Sequence, residues 1–214
     1  MSLNSQYNSS MFVFNFNSTI LLLLHDKCVI SHYPLNIKNM HDENNKKKIG
    51  LIRTFRYIGV DAIKSHGSID NIPNEPKQSF GIMAAMIFMR SSALREVPYD
   101  IKTYHGYHSE EQFYYSARLY TNGYNCYTPT QHILAMEYCT NRDRLTVQSK
   151  IHLATDSNVW NQRTWRKCKY YLRLDTLENV NYQEYIADIL ENKTLYGLGN
   201  NRSIIDFYKM TNTH

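Results

Sequence analysis

Cysteine is scarce in this chain, and no cysteine pair has the spacing of a metal knuckle. The 214 residues include four cysteines, Cys28, Cys126, Cys139 and Cys168. None lies two residues from another or pairs with histidine in the spacing of a zinc site. Four such cysteines in a chain of this length predict reduced, mostly buried thiols and exclude a disulfide-framed secreted fold.

The chain also lacks a long uninterrupted apolar run. The most apolar stretch, Met11 to Leu24, is broken by Asn15, Asn17 and Ser18 and has no basic flank. It is too short to cross a bilayer and lacks the form of a secretory signal. The sequence therefore predicts no membrane partner and a cytoplasmic location.

Clustered positive charge is missing as well. The formal net charge is +5 and the isoelectric point is near 8.9, but the basic residues are scattered. The one run, Lys46 to Lys48, adjoins Asp42 and Glu43, which is typical of a solvated loop. A nucleic-acid partner is therefore not expected. The surplus positive charge suits a phosphate-bearing small molecule.

The hydrophobic pattern predicts an α/β protein. Three runs rich in Ile, Val, Phe and Met, at Cys28–Ser31, Leu51–Val60 and Met83–Met89, are expected to join one sheet. Ser65 to Gln78 contains Gly67, Pro73 and Pro76 and is expected to be a loop of the kind that often carries contacts. Helices are expected at three further places: Ser18 to Leu24, Asn181 to Asn192, and from a Ser203 cap through Lys209.

Residues 108–125 are the most informative part of the chain. Two acids, Glu110 and Glu111, open a predicted helix that runs to Tyr120, and Arg118 falls eight residues after Glu110, on nearly the same side. Gly123 then supplies a helix stop. Acids at a helix N-terminus are favoured by the helix dipole, and this alone explains them without any function.

Several short motifs, which follow one another in a fixed order, indicate more than a helix start. The chain contains Glu96-Val97-Pro98-Tyr99-Asp100, then the Glu-Glu helix with Ser116-Ala117-Arg118, then Gly123-Tyr124-Asn125, then Tyr127-Thr128-Pro129, and finally Tyr196-Gly197-Leu198-Gly199-Asn200-Asn201-Arg202-Ser203. In this order and spacing the series resembles a GlcNAc-transferase family of GT-A fold, whose best-known members glycosylate a hydroxyproline of a cytoplasmic ubiquitin-ligase adaptor. The resemblance covers Cys28 to the C-terminus. Residues 25–214 are accordingly expected to form a glycosyltransferase-like domain, preceded by a divergent segment, 1–24.

The resemblance implies transfer of GlcNAc from UDP-GlcNAc to a protein hydroxyl. It also implies a partial GT-A-like fold, a mixed sheet flanked by helices. It places Glu110 and Glu111 as catalytic carboxylates, with Glu110 the more important, and Arg118 as the residue that orients them. Ala84 and Ala85 match an element that lines the donor pocket. Tyr124 and Asn125 are the remaining substrate-binding candidates.

The chain departs from the family pattern at its metal site. Family members use Mn²⁺ or Mg²⁺, held by an upstream Asp-x-Asp or Asp-x-His motif and by a histidine that Met136 replaces here. Asp26 is the first acid of the sequence, and a thioether suits neither ion. No metal ligand is therefore predicted and binding of the ion is not expected. The chain matches the acceptor-side half of the fold, and the expectation is a truncated, weak or inactive transferase.

Two alternatives remain open at the level of sequence. A non-catalytic remnant or binding module would keep the same fold without transfer. A metal-dependent hydrolase would use His105, His108 and Glu110, although histidines that bind zinc on a helix usually stand four residues apart and no third ligand is evident.

Overall fold

The computed structural model describes residues 27–57, 63–83, 85–100, 109–138, 167–174, 189–190 and 192–213. Residues 167–171 are helical, and Ile37–Asn39 form one turn of 3-10 helix. The helices are α1 (Glu43–Lys46), α2 (Ser91–Glu96), α3 (Ser109–Thr121), α4 (Lys193–Tyr196) and α5 (Ile204–Thr211). The strands are β1 (Cys28–Ser31), β2 (Leu35–Asn36), β3 (Lys48–Tyr57), β4 (Ile63–Asn71), β5 (Lys77–Ser79), β6 (Ile87–Met89), β7 (Asn125–Thr128) and β8 (Ala135–Met136).

A four-stranded mixed sheet forms the centre, with the order β5-β7-β1-β6. β1 and β7 are parallel, with Val29 opposite Cys126, whereas β5 and β6 run antiparallel to their neighbours. β1 is buried at all four positions, as its continuous apolar sequence predicts. The predicted α/β class, with a mixed sheet flanked by helices, is confirmed, and β1 has the predicted bounds.

The second predicted strand is real but belongs to a different sheet. β3 pairs with β4 in a separate antiparallel hairpin, from Lys48 opposite Asn71 to Tyr57 opposite Ile63. The prediction that Leu51–Val60 joins β1 was therefore wrong, and residues 58–60 lie outside the described part. Ile52 and Phe55 of β3 are buried in the core beside α3 and α5. The backbone of β3 pairs with β4.

The predicted loop at Ser65 to Gln78 was also wrong in part. Its first half is β4, and its last two residues begin β5. β4 is polar and includes Gly67, so its own sequence gives a weak strand pattern. Hydrogen bonds to its partner β3 fix it as a strand. The residues between β4 and β5, 72–76, form the remaining loop.

Helix α3 is the predicted helix, longer by one residue at each end. It ends in a Schellman arrangement: Gly123 N–H donates to Tyr120 O at 2.9 Å and Tyr124 N–H to Leu119 O at 2.9 Å. Gly123 has a φ of 92°, which only glycine adopts at little cost, so the predicted stop is confirmed.

Both sides of α3 are buried. One side, with Phe113 and Ala117, packs on Phe55 and Phe207. The other side presents Tyr115 and Leu119 to a second cluster that contains residues of β1 and β7, Val29 and Cys126. A helix enclosed in this way is a core element, and its position is fixed by both the sheet and the hairpin.

The remaining predictions on elements have mixed outcomes. Ser203 caps α5, where its side chain accepts a hydrogen bond from Ile205 N at 3.1 Å, as predicted. Cys28, Cys126 and Cys168 are buried, as predicted, and form no disulfide with one another, whereas Cys139 lies outside the described residues. The predicted helix at Ser18 to Leu24 and nearly all of that at Asn181 to Asn192 also lie outside them. In the described part of the chain, no helix has the length and apolarity to cross a membrane.

Candidate functional site

The carboxyl ends of the two parallel strands, β1 and β7, define one edge of the sheet, which we call the carboxyl edge. Ser31 ends β1 and Thr128 ends β7 at this edge. Ligands of α/β sheets bind outside the carboxyl ends of parallel strands. Because α3 turns at Gly123 directly into β7, it runs antiparallel to that strand, and its first turn also lies at the carboxyl edge. Glu110 and Glu111 are thereby placed there.

The turn that carries Ala85 is held at the same edge by Ser31. Met83 N–H donates to the buried Ser31 Oγ at 2.6 Å, and that hydroxyl donates to Met86 O at 2.7 Å. Ala85 is exposed at the top of this turn, whereas Ala84 lies outside the described residues. The structure thus brings the predicted donor-pocket element and the acidic end of α3 to one edge.

Of the two acids, Glu111 is the one whose side chain lies in the described part of the structure. It is half-buried, and burial alone raises the pKa of its side chain to about 7. A carboxyl group with a pKa near neutrality exchanges its proton readily at physiological pH, which suits general acid–base chemistry. Glu110 lies in the first turn of α3, but its side chain is outside the described part of the structure, so its predicted priority stays a prediction.

Arg118 lies in the core, two turns along α3 from Glu111, with 1% of its surface exposed. Its guanidinium donates to three main-chain oxygens, Pro98 O at 2.7 Å, Leu195 O at 3.0 Å and Gly197 O at 3.4 Å. A nearby cation would lower the pKa of Glu111, yet among the described residues no cation acts on it and burial raises its pKa. The described contacts therefore give Arg118 the task of joining chain segments, and its role toward substrate stays a prediction.

Tyr124 and Asn125 lie at the opposite edge, where β7 begins. Helix α3 rises roughly 15 Å between Glu111 and Thr121, so these residues are not brought together with the acidic pair. Tyr124 donates from its hydroxyl to Glu96 Oε2 at 2.6 Å, and Asn125 Oδ1 accepts from Arg202 Nη1 at 2.7 Å. Both side chains are engaged in packing contacts, and their predicted binding role is not tested.

The Tyr-Gly-Leu-Gly segment, which starts at the last residue of α4, packs against the C-terminal end of α3. Arg202 donates to Gly123 O at 2.8 Å, and Gly199 N–H donates to Thr121 Oγ1 at 2.9 Å. A Cβ at Gly199 would lie 2.7 Å from Thr121 O, so only glycine permits this approach. The segment is a turn, as the sequence indicates. Two of the motifs that carry the resemblance thus meet in one packing interface.

A cavity of about 400 Å³ opens near the end of β7. Its walls come from β3, β4, the loop after β4, β5 and β7, and comprise Leu51, Asp70, Asn71, Ile72, Pro73, Asn74, Lys77 and Thr128. None of these residues was a predicted site residue. The sole indication in the sequence was the glycine- and proline-bearing segment from Ser65 to Gln78, expected to carry contacts.

The described residues do not supply a metal centre. Among them, no three His, Cys, Asp or Glu side chains converge on one point. His32 is buried, and both of its ring nitrogens are occupied: Nδ1 donates to Tyr33 O at 2.7 Å and Nε2 accepts from Ile133 N–H at 3.2 Å. Burial is the main cause that lowers the pKa of His32, to about 4, so the ring is neutral at pH 7. Met136 is half-buried in β8, and His105 and His108 lie outside the described residues.

Comparison with protein families gives one match. The family described as Glycosyltransferase (GlcNAc) matches residues 15–214 of the chain, which confirms the resemblance seen in the motifs. No curated protein and no solved structure matches the chain significantly.

Proposed function

The chain belongs to the Glycosyltransferase (GlcNAc) family, and on that premise we propose that it transfers GlcNAc from UDP-GlcNAc to a hydroxyl group of a protein, within a fold of the GT-A type. In this reaction the bond from the sugar's C1 to the UDP oxygen breaks and a bond from C1 to the acceptor oxygen forms. The acceptor hydroxyl loses its proton, and UDP leaves with the electron pair of the broken bond.

The observation that carries the proposal is the position and state of Glu111. Its carboxyl group lies at the carboxyl edge, where α/β sheets bind ligands, and its pKa is raised by burial to about 7. In its ionised form such a group accepts a hydrogen bond from a hydroxyl and is able to take its proton. The turn of Ala85, held by Ser31, lies at the same edge and is the proposed wall of the donor pocket.

Glu110 is the acid to which the resemblance gives priority in the same role. Its spacing from Ser116 and Arg118 resembles that of the glutamate in the motif of the related polypeptide GalNAc-transferases. We assign the two acids to one task, in which one holds the sugar or acceptor hydroxyl and the other completes the positioning.

A divalent ion would neutralise the charge of the donor's diphosphate in related enzymes. The described residues do not fit such an ion, because they provide no cluster of three ligands. No step is therefore derived through a metal. We propose that transfer by this chain is slow and depends weakly on added Mn²⁺.

The test measures UDP release and sugar transfer from UDP-GlcNAc to hydroxyl-bearing peptides, with and without Mn²⁺. Glu111→Gln is compared with Glu43→Gln, a matched change of an exposed acid on α1. We expect transfer by the unaltered chain, slower transfer by Glu111→Gln, and no change of transfer in Glu43→Gln. Binding of UDP-GlcNAc without any transfer would support the non-catalytic binding module and overturn the proposed transfer.

A further inference from the structure

We propose that Ser116 is a positioning residue: its hydroxyl couples the first turn of α3 to the turn of Ala85, so that these two parts of the carboxyl edge move as one unit. The bearing of this coupling on catalysis rests on the transfer proposed above. The coupling itself is a property of the fold and can be measured without any transfer.

Residues 81–83, between β5 and β6, are buried but belong to neither of these strands. Gly81, Ile82 and Met83 are followed by the turn of Ala85, which a bridge between Met83 and Met86 closes. A buried main-chain N–H group requires a partner, and an irregular segment lacks the regular partners of a helix or a sheet. The partners of this segment therefore come from side chains of neighbouring elements.

Two buried serine hydroxyls supply these partners, one from each side. Ser31, at the end of β1, accepts a hydrogen bond from Met83 N–H at 2.6 Å. Ser116, in the middle of α3, accepts one from Ile82 N–H at 3.0 Å. The two serines are 3% and 1% exposed, so bulk water does not compete for these bonds. The segment is thus tied to the central sheet through Ser31 and to α3 through Ser116.

The Ser116 hydroxyl also binds the first turn of α3. It donates its proton to Gln112 O at 2.5 Å, one turn back along the helix. A hydroxyl is able to serve both partners, because it has one proton to donate and lone pairs that accept. Gln112 directly follows Glu111 in the chain. One oxygen atom therefore joins the main chain of Ile82 to the main chain beside Glu111.

The segment approaches Ser116 closely because Gly81 has no side chain. A Cβ at Gly81 would lie 2.7 Å from Ser116 Oγ and 3.1 Å from the ring of Phe55. Either the segment or its neighbours would have to shift to accept it. The close packing at Gly81 and the two hydrogen bonds of Ser116 together fix the distance between the segment and α3.

Thr121 provides a matched hydroxyl on the same helix. It is 1% exposed, and its Oγ1 donates to Ala117 O at 2.8 Å and accepts from Gly199 N–H at 2.9 Å. This is the pattern of Ser116, a carbonyl one turn back and an N–H of a distant segment, at the opposite end of α3. Loss of either hydroxyl leaves one N–H without its partner, so we expect similar losses of stability.

The first experiment measures amide hydrogen exchange in the full chain. In the unaltered chain the amides of Ile82 and Phe113, which report on the segment and on the first turn of α3, should exchange with one free energy of opening, below that of global unfolding. In Ser116→Ala we expect Ile82 to exchange about fivefold to tenfold faster, and separately from Phe113. In Thr121→Val the two amides should still exchange together.

The second experiment measures steady-state transfer from UDP-GlcNAc. Ser116→Ala should lower kcat by about tenfold or more and change KM by less than about threefold, because a misplacement near 1 Å costs up to about 10²-fold at the chemical step. Thr121→Val should keep its kcat, although its melting temperature falls as in Ser116→Ala. An equal loss of kcat in both variants, or no loss in Ser116→Ala, would overturn the positioning role.

Failure of the coupling is distinguishable from failure of the proposed function. If the unaltered chain transfers nothing, the proposed function is overturned and hydrogen exchange alone decides the coupling. Joint exchange of Ile82 and Phe113 that only Ser116→Ala separates supports it. Independent exchange of the two amides in the unaltered chain, or joint exchange in Ser116→Ala, overturns it. The comparison within the unaltered chain stands even if Ser116→Ala does not fold.

Discussion

Arg118 and Leu195 are joined by a hydrogen bond across 77 positions of the chain: the Arg118 Nη2 group donates to Leu195 O at 3.0 Å. The same guanidinium reaches Pro98 O before α3 and Gly197 O after α4. A planar group with five donors is suited to bind several carbonyls at once, which a lysine cannot reproduce. Arg118 thereby fastens segments from two other motifs, those that contain Pro98 and Gly197, to α3.

Replacement of Arg118 should destabilise the whole protein. Arg118→Lys removes the buried guanidinium fork that serves three main-chain carbonyls, and we expect a loss of about 2–4 kcal/mol in the free energy of unfolding. Urea unfolding followed by circular dichroism measures it. Arg95→Lys, on the exposed side of α2, should change stability by less than about 0.5 kcal/mol. Equal stability of the two variants would contradict the role assigned to Arg118.

Loss of the buried ion pair between Lys167 and Asp100 should also destabilise the whole protein. Lys167 Nζ lies 2.8 Å from Asp100 Oδ2, and the two side chains are 4% and 1% exposed. Lys167→Met leaves the buried carboxylate without its lysine and should cost about 3–5 kcal/mol. The exposed pair of Lys209 and Asp206, at 3.8 Å, provides the control. Lys209→Met should cost less than about 1 kcal/mol, and a comparable loss from both changes would show that burial does not matter here.

Glu111 should make stability depend on pH between about 4.5 and 7. Its pKa is raised by burial from 4.5 to about 7, so within this window the folded state holds a proton that the unfolded state has released. Stability from this group is therefore fully present below pH 4.5 and is lost as the pH rises to 7.

Thermal unfolding from pH 5 to pH 8 measures this effect. The Glu111→Gln variant, which mimics the protonated carboxyl group, should gain about 1–3 kcal/mol relative to the unaltered chain as the pH rises. Glu43→Gln is the control, because its hydrogen bond with Lys46 lowers the pKa of Glu43 and keeps that group ionised across the window. A constant difference between Glu111→Gln and the unaltered chain at every pH would refute the raised pKa.

The two acids of α3 should differ in function. From the spacing of Glu110 to Ser116 and Arg118, which resembles the motif of polypeptide GalNAc-transferases, we expect Glu110→Gln to reduce sugar binding or transfer more than Glu111→Gln does. Loss of positioning typically costs about 10²-fold. Loss of an acid that only favours the helix dipole costs about 1 kcal/mol of stability or less. Transfer or ligand-binding assays near pH 8 compare the variants. If both behave alike, or if Glu111→Gln is the more damaging, the priority of Glu110 is wrong even though the family assignment stands.

The sequence by itself determined the features that depend on near neighbours. The apolar run of β1, the period of α3, the stop at Gly123 and the cap at Ser203 each reflect interactions within a few residues, and each appears in the structure as predicted. The family could also be predicted from the sequence, because several motifs in a fixed order are far more specific than any one of them.

Tertiary structure decided which distant segments meet. β3 matched a strand pattern, but whether it joined β1 or β4 depended on where Phe55 could be buried beside α3. Tyr124 and Asn125 are near Glu111 in sequence, yet the length of α3 places them at the other edge of the sheet. The pKa of Glu111 follows from burial by packed neighbours, and the cavity at Lys77 and Thr128 exists because two sheets meet there. Burial and pairing join residues far apart in the chain, so no local pattern encodes them.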